Sequence, residues 1–107
     1  DVRPGSPTYG TWAGVELAAE RFDALYVPPF CAKGYQAQED GTAVMYGVSS
    51  PYTPGAETGL RWDDPAFGID WPITEGVIVS DKDTSWPDVV LDAVPPVLVA
   101  VVCAVMT

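Results

Sequence analysis

The sequence contains no histidine among its 107 residues. Histidine is the side chain that most often serves as a general base near neutral pH, and it is the commonest ligand of zinc in proteins. The chain by itself therefore lacks both the usual general base and the usual zinc ligand.

Basic residues are also scarce, since five of them face fifteen acidic residues and give a formal net charge of −10. Nucleic-acid binding needs a basic surface, so this charge argues strongly against a nucleic-acid partner. An anionic small molecule would have to be met by a local concentration of the few cations. These are Arg3, Arg21, Lys33, Arg61 and Lys82.

Cysteines and long apolar runs are equally limited. Cys31 and Cys103 form no disulfide framework, so we expect buried thiols and a cytoplasmic protein without a signal peptide. The longest apolar run, VLVAVVCAVM at 97–106, is far shorter than the roughly 20 residues that span a bilayer, which argues against a membrane partner. This tail is expected to be a buried strand, a partner-facing strand, or an unnatural end of the reading frame.

Prolines, glycines and alternating apolar residues are abundant, with 11 prolines and 10 glycines in the chain. They favour short strands joined by turns in a single all-β domain, a sandwich or a barrel. The alternation predicts strands at 11–19, 33–38 and 42–50, and a short one around 59–62.

The stretch GLRWDDPAFGIDWP, residues 59–72, is too irregular for a long helix or strand. Asp63 or Asp64 can cap a single helical turn that starts at Pro65, and Gly68 can end it. The two tryptophans are expected to anchor this turn to the core. A calcium site is the alternative, but the aspartate spacing fits no calcium loop.

Five blocks of the sequence follow one another in an order that is specific when they are taken together. They are DVRPGSPTYGTW (1–12), LYVPPFCAKGYQ (25–36), VMYGVSSPYTPGAE (44–57), RWDDPAFGIDWP (61–72) and SDKDTSWP (80–87). In this order they resemble the C-terminal two-thirds of the dTDP-4-dehydrorhamnose 3,5-epimerase family. The resemblance implies a cupin-type jelly roll, an antiparallel β-barrel that is truncated at its N-terminus. It divides the chain into a partial epimerase-like domain at 1–94 and an apolar tail at 95–107.

The chemistry that the resemblance implies is epimerisation of C3 and C5 of a 4-keto-6-deoxy sugar on thymidine diphosphate, a step of rhamnose biosynthesis. A base removes the proton next to the ketone, and an acid returns a proton on the other face. The resemblance further implies no metal and no organic cofactor, a homodimer, and a nucleotide-sugar substrate.

Two residues match the catalytic positions of the family. Tyr46 matches the tyrosine that donates a proton, although its spacing from Val44 and Val48 also fits a core residue. Asp83 matches the aspartate that orients the catalytic histidine. That histidine lies, in the family, upstream of the first block, and this chain offers none for Asp83 to orient.

Four residues match substrate-binding positions. Tyr52 corresponds to the tyrosine that stacks on thymine, while Glu57 and Lys82 correspond to groups near the substrate. Lys33 stands where the family usually reads A-H-G-[FY], and it could contact the sugar or the diphosphate as a point charge. The alternative interpretations are an ordinary loop aromatic for Tyr52, a solvated loop carboxylate for Glu57 and a charged turn around Lys82.

The resemblance without the histidine leaves three interpretations of function. The first is an epimerase-family member whose isolated chain is inactive because the base is missing. The second is a non-catalytic module that binds nucleotide sugars. The third is a remnant that serves only as an oligomeric scaffold.

Overall fold

The computed structural model describes residues 1–91 and the backbone of residues 102–106. Regular secondary structure is sparse in these residues. In chain order the elements are a turn of 3-10 helix at Ala19–Arg21, strand β1 at Lys33–Gln36, strand β2 at Ile78–Val79, helix α1 at Asp81–Thr84 and strand β3 at Val102–Met106.

The three strands form one small mixed sheet in the order β1-β3-β2. β3 runs parallel to β1, with Lys33 opposite Val102, and antiparallel to β2, with Ile78 opposite Met106. The last five described residues of the apolar tail therefore pair on both sides, as a strand within the sheet. The rest of the predicted tail, residues 95–101 and 107, lies outside the described residues.

The predicted antiparallel jelly-roll barrel is not formed within the described residues, whose only sheet has three strands. β1 confirms the strand predicted at 33–38, but the strands predicted at 11–19, 42–50 and 59–62 are wrong as regular structure. A strand exists only through hydrogen bonds to a neighbour, and these segments have no neighbouring strand here. The division of the chain at residue 94 stays a prediction.

The first block of the sequence folds around the carboxylate of Asp1. It accepts hydrogen bonds from the backbone nitrogen and guanidinium of Arg3 at 2.8–2.9 Å, and from the hydroxyls of Ser6 and Thr8 at 2.6 Å each. The Asp1 side chain thus holds together the D-x-R-x-G-S-P-T motif. Its hydrogen-bond donors, Arg3, Ser6 and Thr8, lie in the segment that folds back onto Asp1. The motif is a structural unit of this chain.

The apolar core of the described residues is small and centres on Val2, which is 3 % exposed. The partly buried side chains that pack against it come from four separate parts of the sequence. They are Ala32, Leu60, Trp62, Phe67, Val77 and Val79. This cluster joins the first block to β2 and to the tryptophan-rich stretch. The thiol of Cys31, expected to be buried, is free and only half-buried.

The aspartate-capped turn in the tryptophan-rich stretch is confirmed, and Asp64 is its cap. The Asp64 carboxylate is 2 % exposed and accepts from the backbone nitrogens of Ala66 and Val89, both at 2.8 Å. Gly68 ends the turn with φ +58 and donates its backbone N–H to the carbonyl of Asp64. The cap therefore also fastens a segment 25 residues further along the chain.

The two tryptophans fix the exit of this turn. The indole nitrogen of Trp71 donates to the carbonyl of Trp62 at 2.8 Å, and Trp62 itself packs against the core. In the described part of the chain, no cluster of acidic, cysteine or histidine side chains could hold a metal ion. No helix there is both long and apolar enough to cross a bilayer.

Candidate functional site

Three of the predicted substrate-binding residues meet at one carboxylate. Oε1 of Glu57 accepts a hydrogen bond from the Tyr52 hydroxyl at 3.1 Å. The same oxygen forms an ion pair with Nζ of Lys82 at 2.5 Å. Residues 52 and 57 lie on one loop and residue 82 on α1, so the cluster joins two separate segments. We call these three residues the Glu57 cluster.

The short helix α1 positions the basic member of this cluster. Ser80 caps α1 and is bonded twice to Asp83, since its hydroxyl donates to Oδ2 at 2.7 Å and accepts from the backbone nitrogen at 3.1 Å. Asp83 is only 7 % exposed, whereas the Lys82 side chain is half exposed and free to reach Glu57. The Ser80-x-x-Asp83 spacing is a helix-capping signal that the sequence interpretation did not use.

A glycine lets the loop that carries Glu57 approach the segment that follows α1. A Cβ added at Gly59 would lie 2.2 Å from the Trp86 ring, which is closer than any side chain tolerates. Gly59 therefore packs its bare backbone on the indole of Trp86. This contact brings the loop that carries Glu57 against the segment that follows α1.

The electrostatics of the Glu57 cluster keep both ionised partners charged. The hydrogen bond from Lys82 lowers the pKa of Glu57 from its usual 4.5, burial opposes this, and the Tyr52 hydroxyl lowers it further. The same bond raises the pKa of Lys82 above its usual 10.5, against the opposing effect of burial. An ammonium and a carboxylate thus face each other throughout the neutral pH range.

Tyr46 and Lys33 form a second group. Nζ of Lys33, at the start of β1, lies 4.6 Å from the centre of the Tyr46 ring, within the range of a cation–π contact. Tyr46 is 57 % exposed, so its interpretation as a core residue is wrong. Its phenol is accessible to a ligand while a cation lies at its ring.

The structure brings the predicted residues together only in part. Among the described residues, no hydrogen bond or ion pair joins the Lys33–Tyr46 pair to the Glu57 cluster. Asp83 adds to the negative potential at Lys82, but its carboxylate bonds to Ser80 and the chain has no histidine for it to orient. The Tyr52 side chain is exposed at the Glu57 cluster, and the Tyr46 side chain is exposed at the second group.

The sequence matches one protein-family model over most of its length. The family model described as dTDP-4-dehydrorhamnose 3,5-epimerase matches residues 1–90. The chain therefore belongs to the dTDP-4-dehydrorhamnose 3,5-epimerase family, which is of the cupin type. This confirms the family that the five sequence blocks indicated.

Curated proteins named as members of this family align with most of the chain. A dTDP-4-dehydrorhamnose 3,5-epimerase of Sinorhizobium fredii is 45 % identical over 87 residues, which are 81 % of this chain and 45 % of that protein. The protein of that name from Methanothermobacter thermautotrophicus is 40 % identical over 88 residues, 80 % of this chain and 48 % of the relative. The one from Escherichia coli is 37 % identical over 83 residues, 78 % and 45 % of the two chains.

The chain spans about half the length of these relatives. That share is smaller than the two-thirds that the sequence blocks suggested. No solved structure matches the chain.

Proposed function

We propose that this chain carries part of a nucleotide-sugar 3,5-epimerase site and acts on a dTDP-4-keto-6-deoxy sugar. The observation that supports this most is the Glu57 cluster, in which three positions indicated by the family resemblance converge on one carboxylate. In the proposal, Tyr52 stacks on the thymine ring, Glu57 binds the substrate and Lys82 lies near it as a basic group. Lys33 adds a second positive charge for the ligand.

The reaction proposed is proton removal and return at carbon. A base takes the proton from C3 or C5, and the electron pair of the broken C–H bond moves into an enolate whose charge rests on O4. The Tyr46 phenol then donates its proton to the opposite face of the same carbon, and the resulting phenolate is reprotonated from solvent. The exposure of Tyr46 and the adjacent Lys33 ammonium, which favours nearby negative charge, support this role.

In this proposal the base comes from outside this sequence, because the histidine that the family resemblance implies as the base is not present in it. Asp83 is proposed to orient such a histidine, as a carboxylate that fixes the tautomer of an imidazole. Its burial and the hydrogen bond that its carboxylate accepts from the Ser80 hydroxyl hold it in place. The isolated chain is therefore expected to bind substrate without turning it over.

Solvent-deuterium incorporation tests the proposed chemistry. The 4-keto sugar nucleotide is incubated with the chain in D₂O, and the label at C3 and C5 is followed by NMR or mass spectrometry. We expect no incorporation above the rate without protein. Incorporation that disappears in Tyr46→Phe would refute the statement that the chain lacks a base of its own.

A non-catalytic nucleotide-sugar binding module is the second candidate. The absence of histidine favours it, because every other residue matched to the family site is compatible with binding alone. Supplying a histidine-bearing family segment separates the two functions. Restored deuterium incorporation supports the epimerase, and saturable binding that stays without incorporation supports the binding module.

Two wider features belong to the same proposal. By the family resemblance we propose a homodimer in the cytoplasm, with no metal or organic cofactor. Sedimentation at several concentrations measures the assembly state. A single monomeric species at all concentrations would contradict the dimer.

A further inference from the structure

Two segments of the chain, residues 57–64 and residues 82–89, lie side by side. Four of the contacts among the described residues join them, and these contacts follow in the same order along both segments. They are Glu57 with Lys82, Gly59 with Trp86, Arg61 with Asp88, and Asp64 with the backbone nitrogen of Val89. The ion pair of the Glu57 cluster is therefore the first in a series of contacts between the same two segments.

Arg61 carries the charged contact in the middle of this series. Its Nε pairs with Oδ1 of Asp63 at 2.5 Å, within its own segment. Its Nη1 pairs with Oδ1 of Asp88 at 2.8 Å, on the other segment. The Arg61 side chain is only 27 % exposed. Because a guanidinium presents several N–H donors in one plane, a single arginine holds both carboxylates at once.

The Glu57–Lys82 pair itself gives the two segments little hold on each other. The Lys82 side chain is about half exposed, and the Glu57 side chain is partly exposed. Exposed ion pairs contribute little to stability, because ordering two long side chains opposes their attraction. The contact between Glu57 and Lys82 therefore depends on how the backbones beneath the two side chains are held.

We propose that the Arg61–Asp88 ion pair is a positioning pair for the Glu57 cluster. It holds the two segments together, so that the Lys82 ammonium stays at the Glu57 carboxylate. Neither Arg61 nor Asp88 touches the ligand, since both act through the side chains of the cluster. The importance of this positioning for ligand binding rests on the proposed function, whereas the geometry of the cluster can be measured without any ligand.

Titration of the Glu57 carboxyl group in the ligand-free chain tests the positioning. Its carboxyl carbon resonance is identified by its absence in Glu57→Gln, and its pKa is measured by NMR in the parent chain, in Asp88→Asn and in Asp63→Asn. The hydrogen bond from Lys82 is the main cause of the lowered pKa of Glu57. We expect Asp88→Asn to raise the pKa of Glu57 toward its usual 4.5, because Lys82 then withdraws from it.

The matched control is Asp63→Asn, because Asp63 also pairs with Arg61 but lies on the same segment as Glu57. Each of the two variants removes one negative charge at Arg61. That loss alone would lower the pKa of a nearby carboxyl group, so the control should not raise the pKa of Glu57. If Asp88→Asn leaves the pKa of Glu57 unchanged or lowers it, the proposal is overturned.

Urea unfolding of the same variants separates positioning from stability alone. The Asp88 side chain is 63 % exposed, so Asp88→Asn removes no buried group and should fold. A lower urea midpoint for Asp88→Asn than for Asp63→Asn, with the pKa of Glu57 at its parent value, would mean that the pair only fastens the chain. The positioning proposal would then be wrong.

Binding of thymidine diphosphate extends the test to the ligand. We expect Asp88→Asn to bind it about threefold or more weakly than Asp63→Asn, because a smaller fraction of the molecules then has the Glu57 cluster assembled. Equal affinity of the two variants would contradict the link between the ion pair and the ligand. If the parent chain binds no thymidine diphosphate, the proposed function fails, and the carboxyl titration still decides the positioning.

Discussion

The buried carboxylate of Asp64 is expected to be the most sensitive polar group of the described chain. It is 2 % exposed and accepts backbone hydrogen bonds from Ala66 and Val89, both at 2.8 Å. Hydrogen bonds to a charged acceptor contribute about 1.5–3 kcal/mol each, and a buried donor left without a partner costs a similar amount. Asp64→Ala removes the capping acceptor and leaves the Val89 N–H unsatisfied. We therefore expect a loss of about 3–5 kcal/mol in the free energy of unfolding.

Replacement by asparagine separates the hydrogen bonds from the volume of the side chain. Asp64→Asn keeps the size and one acceptor oxygen, but its amide group presents N–H donors to one of the two backbone donors. The expected loss is about 2–3 kcal/mol, a large fraction of the stability of a small domain. Urea unfolding followed by tryptophan fluorescence measures both variants.

The matched control for this prediction is Asp70→Asn. Asp70 is exposed, and no hydrogen bond or ion pair of its side chain occurs among the described residues. The control should change the urea midpoint by less than the equivalent of about 0.5 kcal/mol. Equal midpoints for Asp64→Asn and Asp70→Asn would refute the assignment of Asp64 as a cap and fastener.

Two further predictions concern the packing and the charges of the Glu57 cluster. Gly59→Ala forces a methyl group into the Trp86 ring and should destabilise the chain by about 1–3 kcal/mol in urea unfolding, whereas Gly47→Ala, which meets open space, should be nearly neutral. The Glu57–Lys82 pair should stabilise the chain at pH values above the usual pKa of 4.5 of Glu57. This stabilisation is lost at low pH, as the pH falls through the lowered pKa of Glu57. It is also lost at high pH, as the pH rises through the raised pKa of Lys82. Glu57→Gln should therefore differ most from the parent chain in the window between these losses, and a difference that does not vary with pH would contradict the ion pair.

The sequence was sufficient for local structure wherever a few neighbouring residues decide it. The turn capped by Asp64 and ended by Gly68 needs only a short acceptor and a glycine with positive φ, and both can be recognised in the sequence. The strand predictions at 11–19 and 42–50 were wrong because a strand does not depend on neighbouring residues alone. Their alternation is real, but a strand also requires a paired neighbour, which no local pattern supplies.

The candidate site likewise contains residues that the sequence indicated and a long-range contact that it did not. Tyr52, Glu57 and Lys82 were indicated by the family blocks, and the structure brings them to one carboxylate. The role of Gly59 beneath Trp86 could not be inferred, because it depends on a contact between residues 27 positions apart in the sequence. Long-range contacts of this kind decide which exposed side chains meet.

The central claim is that the chain holds the nucleotide half of an epimerase site, and titration with thymidine diphosphate tests it most directly. Calorimetry would compare the parent chain with Tyr52→Ala and with Tyr26→Ala, a control whose tyrosine is likewise exposed but lies outside the Glu57 cluster. Uridine diphosphate serves as the second ligand. We expect saturable binding of thymidine diphosphate that is lost in Tyr52→Ala, kept in Tyr26→Ala and weaker for uridine diphosphate. Absence of binding, or equal binding by all three proteins, would contradict the central claim.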